Sequence, residues 1–99
     1  MLTRTQVFAL ISNERAYQDV TYDPNEVLST GVTRLQRDLD VTPGILMLEE
    51  YNAKARAAWV ARKGSDLPAL QQIAKIAAIA TRILERAGGS EELLTTGLR

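Results

Sequence analysis

Residues 42–89 read TPGILMLEEYNAKARAAWVARKGSDLPALQQIAKIAAIATRILERAGG, and this stretch decides the fold. Thr42 is a favoured N-cap, and Pro43 at the first helical position gives up an N–H that has no helical partner there. The helix predicted to begin at 43 stops near 63, ahead of Gly64. Ser65 or Asp66 caps a second helix, Pro68 falls in its first turn, and Gly88-Gly89 closes it near 87 as a C′ glycine signal. The predicted fold is all-α: an antiparallel helical hairpin (about 43–63 and 66–87) preceded by an N-terminal helix (about 3–18). The protomers are expected to assemble into an oligomeric helical bundle, with a dimeric four-helix core as the minimum.

The composition bounds the rest. Ninety-nine residues fit a single domain, 1–99, with an irregular segment at 19–41 and a flexible tail at 90–99. A chain this short buries only about two-thirds of its unfolded surface. Hydrophobic residues make up 45% and aromatics 5%, so the core is expected to be aliphatic and alanine-rich, which favours close helix packing. Twelve basic residues balance twelve acidic ones, leaving no electrostatic reason to expect duplex nucleic acid as a partner. Without cysteine or histidine there is no disulfide framework, thiol nucleophile, zinc site of the usual type or imidazole base. No apolar run approaches the ~18 residues of a membrane span, and no secretory signal is expected before the first helix. The expectation is a soluble protein of a reducing cytoplasm with no membrane partner.

Helical spacing then sorts the faces. In the first helix Val7, Leu10, Ile11, Tyr17 and Gln18 share a side, and Glu14 falls among them. A carboxylate there either forms an ion pair that holds the next segment or belongs to a site. In the 43–63 helix Ile45, Leu48, Tyr51, Ala55 and Trp59 lie on one broad face with Asn52 in its middle, a residue suited to fixing register or oligomer state. In the 66–87 helix the apolar positions, from Leu67 through Ile73 and Ile79 to Ala87, cover over half the circumference. A surface helix needs an apolar arc only somewhat beyond about 100°. One hairpin partner cannot cover the remainder, so self-association is inferred. The strip left over, with Gln71, Lys75, Arg82, Glu85 and Arg86, reads as a solvated face or an anion surface.

Between the helices, 19–41 carries turn signals at Asp23-Pro24-Asn25 and Ser29-Thr30-Gly31, with a short helical turn expected at Thr33–Leu39. Irregular stretches of about twenty residues are uncommon in small domains and are often functional. This one holds Tyr22, Arg34 and Arg37, which either grip an anion through charge-assisted hydrogen bonds or pair with Asp38, Asp40 or Glu14. The tail, SEELLTTGLR, is expected to form a Ser90-capped turn and then a flexible end, or to latch onto a neighbour through Leu93, Leu94 and Leu98.

There is no glycine-rich phosphate loop, nucleophile elbow or calcium loop. Helical metal-dependent hydrolases need inward-facing carboxylates from two helices, typically as i, i+3 pairs. Here Glu49 and Glu50 are adjacent, hence about 100° apart, and Glu85 stands near the end of its helix. The segments NERAYQD (13–19) and LEEYNAKARAAWVARKGSDLPALQQIAKIAAIATRILERAGG (48–89) nonetheless resemble small phage-encoded relatives of the MazG-type all-α nucleoside triphosphate pyrophosphohydrolases. Active members of that family carry ExxE on one helix and ExxD on the next, which together ligate magnesium. Aligned through the shared AW and the following turn, the first pair falls at Tyr51 and Lys54 and the second at Gln72 and Lys75. The departure argues against hydrolysis, because an ammonium where a dication would sit removes metal affinity, whereas lysines bind phosphate directly as point charges. The pattern YDPNEVLSTG…TRLQRDLDVTP (22–43) is similar to that of a phage subfamily and implies no activity.

The resemblance implies a non-catalytic phage protein, working in a host cytoplasm, that binds or sequesters a nucleotide or nucleotide-derived signal. Its expected ligand-binding residues are Glu14, Tyr17, Tyr22, Arg34, Arg37, Lys54 and Lys75, with no catalytic residue, cofactor or metal. One alternative is a helical module that inhibits or scaffolds a host or phage protein. Another is a weak hydrolase relying on Glu14, Glu49 and Glu50, which alone would call for Mg²⁺.

Overall fold

A computed structural model describes residues 1–88 and 91–97, which form five helices. These are α1 (Arg4–Thr21), α2 (Arg34–Asp38), α3 (Val41–Val60), α4 (Leu67–Arg86) and α5 (Glu91–Thr96). Among the described residues no strand forms, and a single antiparallel bridge joins Val27 to Thr33. Helices α1 and α2 both start with a capping box. The Thr3 hydroxyl accepts from Gln6 N at 3.2 Å and the Gln6 amide accepts from Thr3 N at 2.9 Å; Thr33 and Gln36 repeat the pattern at 3.1 and 2.8 Å. The signature, Thr-x-x-Gln, stands in the sequence at both places.

The hairpin forms as expected, with shifted ends. Asp40 rather than Thr42 caps α3, its carboxylate accepting from Thr42 N at 3.1 Å. Pro43 still lies in the first turn, where its missing N–H is harmless. Helix α3 ends at Val60, and the turn to α4 uses Gly64 at φ +83°, a left-handed conformation that glycine takes without steric cost. Ser65 supplies the oxygen for Leu67 N at 3.1 Å, while Asp66 occupies the N-cap position without a side-chain bond. At the far end Gly88 N–H donates to Ile83 O at 3.1 Å. Gly89, Ser90 and Leu98, expected as stop, cap and latch, lie outside the described residues. In the described part of the tail, Leu93 and Leu94 of α5 are exposed.

The segment after α1 is more ordered than its sequence suggests. Helix α1 runs three residues past the expected end, to Thr21. The chain then folds on itself: Asp23 Oδ1 accepts from Asn25 N at 2.9 Å, Leu28 N donates to Val32 O at 2.8 Å, and Leu35 N donates to Pro24 O at 2.9 Å. This brings the Thr33-capped turn, α2, against both α3 and α4.

Helix α4 lies in the middle. It packs on α3 and on α1, whereas no Cα pair between α1 and α3 comes within 8 Å. Gly44 sits against Ile83 and Met47 against Arg82, the descending register of an antiparallel pair. A Cβ at Gly44 would lie 2.8 Å from Ile83, so the missing side chain lets these helices approach closely. The three long helices therefore form an open layer with a valley over α4.

Such a layer buries little. Among the described residues the buried apolar side chains are Ala55, Ala69, Ala78 and Ile79. Leu10 and Tyr17, expected on the inner side of α1, are exposed, and the buried positions there are Arg15 and Gln18. Asn52 is exposed as well. The solvated-strip reading of α4 also fails in part: Arg82 is buried and only 12% of the Arg86 side chain is exposed, because both turn toward α1 and α2. The chain exposes 7499 Å². A compact monomer of its 10.9 kDa would expose about 5,600 Å².

Candidate functional site

The valley over α4 holds two adjoining clefts. The larger, about 220 Å³, is walled by Gln18 and Tyr22 from the end of α1, Arg34 and Arg37 from α2, and Met47, Glu50, Tyr51 and Lys54 from α3, with Ile79 and Arg82 of α4 as its floor. The smaller, about 90 Å³, continues along α1 and is lined by Glu14, Tyr17, Gln18, Tyr22, Tyr51, Lys75 and Ile79. All seven residues picked as ligand-binding candidates thus line one or both clefts: Tyr22, Arg34, Arg37 and Lys54 the larger, and Glu14, Tyr17, Tyr22 and Lys75 the smaller.

Two tyrosine rings stand at the junction, each with a cation over its face. The Arg34 guanidinium lies 5.2 Å from the Tyr22 ring centre and Lys54 Nζ lies 4.3 Å from that of Tyr51. Such contacts fix an arginine or lysine beside a flat apolar surface. Arg34 also pairs with Glu26, and its Nε donates to Asp23 O at 3.3 Å, tying the cleft wall to the 22–33 turn. Lys54 Nζ is 3.7 Å from Glu50 in a half-exposed i, i+4 pair. Glu14, read from sequence as either an ion-pair or a site carboxylate, forms no ion pair among the described residues and faces the small cleft with Lys75.

Below the arginines runs a chain of charges. Arg15 forks onto Glu85 at 3.0 and 2.8 Å and reaches Asp19 at 3.0 Å. Arg86 contacts Asp19 at 3.4 Å and also bonds Asp38 Oδ2. Arg37 donates Nε and Nη2 to Asp38 Oδ1 at 3.1 and 3.0 Å. The fork from Arg15 holds the Glu85 carboxyl below its usual range, and the same hydrogen bond raises Arg15. Arg82 is lowered, first because burial strips water from its charge and then because Arg37, Arg86 and Arg15 crowd it, with Asp38 opposing. A guanidinium stays protonated in proteins, so this marks an unfavourably placed cation.

The sequence places Arg82 on a strip that reads as a solvated face or an anion surface, and its spacing carries a signal for the second. Lys75, Ile79 and Arg82 stand at i, i+4 and i+7, hence on one helix face, and both lysine and arginine line the valley. Gln18, Met47 and Ile79 were missed as site residues because nothing local separates a cleft wall from a core position.

The magnesium set that the resemblance suggests does not fit this site. The four aligned positions are Tyr51, Lys54, Gln72 and Lys75, and the larger cleft gathers Arg34, Arg37, Lys54 and Arg82 around the one carboxylate of Glu50. Of the alternative hydrolase set, Glu14 and Glu50 line different clefts and Glu49 lines neither. Among the described residues no three His, Cys, Asp or Glu side chains gather in a metal-holding group. The arrangement suits an anion beside a flat ring. No family model, curated protein or solved structure matches this chain.

Proposed function

We propose that the chain is a non-catalytic, MazG-like protein that binds, and so sequesters, a nucleotide or nucleotide-derived signal in the valley over α4. The observation that carries this reading is the pairing of the Tyr22 and Tyr51 rings, each backed by a cation, with Arg37 and Arg82 in one cleft. The rings offer faces on which a base stacks, and the cations meet its phosphates. The test is a thermal-shift panel of nucleoside triphosphates, dinucleotides and cyclic nucleotides, each with and without Mg²⁺. A ligand selective for the folded protein raises Tm by mass action. The expected result is stabilisation without metal that is lost in Tyr51→Ala or Lys54→Ala. A flat panel overturns the reading, and Mg²⁺-dependent turnover lost in Glu50→Gln would favour the hydrolase instead.

The surface supports a second element, assembly with a second copy of the chain. On α4, Leu70, Ile73, Ala77, Ala80 and Leu84 follow a 3-4-3-4 spacing, the seam of a coiled coil, and the three larger residues are more than half exposed. The chain exposes about 1,900 Å² beyond the compact-monomer expectation, enough to supply one side of a stable interface. A two-fold pair through this face leaves the valley, on the opposite side of α4, open. Sedimentation should report a dimer or higher assembly, and Ile73→Glu should dissociate it. A concentration-independent monomer would remove this element and leave the ligand reading in place.

A further inference from the structure

The charge chain beneath the larger cleft does not balance. Four guanidinium groups, of Arg15, Arg37, Arg82 and Arg86, meet three carboxylates, of Asp19, Asp38 and Glu85. The deficit falls on Arg82. Its side chain is 7% exposed and, among the described residues, its Nε donates to nothing, lying 3.6 Å from Asp38 Oδ2, too far for a hydrogen bond. Its Nη2 is spent on the Met47 sulfur at 2.9 Å, a weak acceptor. Asp38 is engaged by its other partners, Arg37 donating twice to Oδ1 and Arg86 bonding Oδ2, and its one charge is shared among three arginines. A buried cation with an unused donor carries a desolvation cost that an anion would relieve.

We propose that the α2 end of the larger cleft is a metal-free subsite for a phosphate monoester. Arg82 and Arg37 hold the phosphate, which supplies the negative charge that the Asp38 cluster lacks. A phosphate monoester matches because it is a compact dianion with three acceptor oxygens, and arginine forks bind such groups in a bidentate manner. At about 220 Å³ the cleft is of a size for a single phosphate with its sugar, and the rings of Tyr22 and Tyr51 line it where it joins the smaller cleft. Magnesium is not required, since the surrounding guanidinium groups already do its electrostatic work. This inference rests on the nucleotide reading for the ring and goes beyond it for the phosphate.

The experiment compares inorganic phosphate, adenosine and the four ribonucleoside 5′-monophosphates by titration calorimetry, each in EDTA and in Mg²⁺, on the full chain. At least one monophosphate should bind ten-fold or more tightly than adenosine, equally in EDTA and Mg²⁺, with inorganic phosphate as a weak competitor. Arg37→Gln, at a half-buried position on the cleft rim, should remove most of the advantage over adenosine. Arg82→Lys should do the same, and circular dichroism will show whether it folds; Arg37→Gln decides the matter if it does not. Adenosine binding as well as the monophosphates, or a requirement for Mg²⁺, overturns the phosphate subsite while leaving the ring reading standing. Phosphate binding that Arg37→Gln removes, with no gain from any base, supports the subsite and overturns the nucleotide reading. No binding by any of these probes overturns both.

Discussion

Helix α4 meets its two neighbours by different physics. Against α3 it packs by shape: Gly44 lets Ile83 approach to a distance no side chain would permit, and the buried apolar residues of the two helices are alanines and Ile79. Against α1 and α2 it is held by charge, through Glu85 to Arg15, Arg86 to Asp19 and Asp38, and Arg82 to Asp38. Close packing is insensitive to salt and pH and leaves no room for a ligand. Ion pairs are long-armed, so α1 stands off from α3 and the valley between them stays open. The difference teaches that the site exists because one side of α4 is packed with groups that hold helices together at a distance.

That contrast is most directly broken at Asp38. Removing one partner of a buried pair costs about 3–5 kcal/mol, because the other charges stay buried without compensation. Asp38→Ala should cost that much in denaturant unfolding, since its side chain and that of Arg82 are each 7% exposed and Arg86 also depends on it. A loss below about 1 kcal/mol would mean that the charge chain is solvated and holds little. On the other side, Gly44→Val forces atoms into Ile83 and should cost about 1–3 kcal/mol, with part recovered in combination with Ile83→Ala. Additive rather than compensating costs would show that the close approach is not what joins α3 to α4.

Salt separates the two sides by a smaller effect. Raising ionic strength from 0.1 to 1 M shortens the screening length from about 10 to about 3 Å. Hydrogen exchange should then quicken at α1 amides such as that of Gln18 and stay unchanged at the α3–α4 contact. Uniform behaviour would erase the distinction. The smallest effect is expected from acid. The Glu85 carboxyl is held below its ordinary value by Arg15, so the folded state binds its proton less readily than the unfolded chain. Its contribution is present at neutral pH and is lost as pH falls below about 4.3. Because the Glu85 side chain is 49% exposed, solvent screening keeps this under about 1 kcal/mol, and Glu85→Gln should flatten the acid limb by that amount.

The two sides also differ in how legible they were. The α3–α4 hairpin could be read because caps, Pro68, Gly64 and a 3.6-residue period are local signals, and the errors were one to three residues at its ends. The 22–33 turn could be read only as punctuation, since its order comes from backbone bonds such as Leu35 N to Pro24 O. The seven candidate residues came from charge, aromatic character and the family resemblance. Their gathering into adjoining clefts depends on α1 and α2 both docking on α4, which no local pattern encodes.

Arg82 marks the boundary between the two kinds of knowledge. The sequence by itself determined that this chain is helical, that its main hairpin turns at Gly64, and that α4 has more apolar surface than one neighbour can cover. These follow from dihedral preference, capping and spacing, which act over a few residues. Only the tertiary structure decided that α4 sits between α3 and α1, that Arg15, Arg82 and Arg86 face inward, and that Asp38 serves three arginines at once. An arginine has the same helical propensity whether its head lies in water or beside a carboxylate 44 residues away, as Asp38 is from Arg82. Burial of its charge is settled by which helices meet, and that choice belongs to the whole chain.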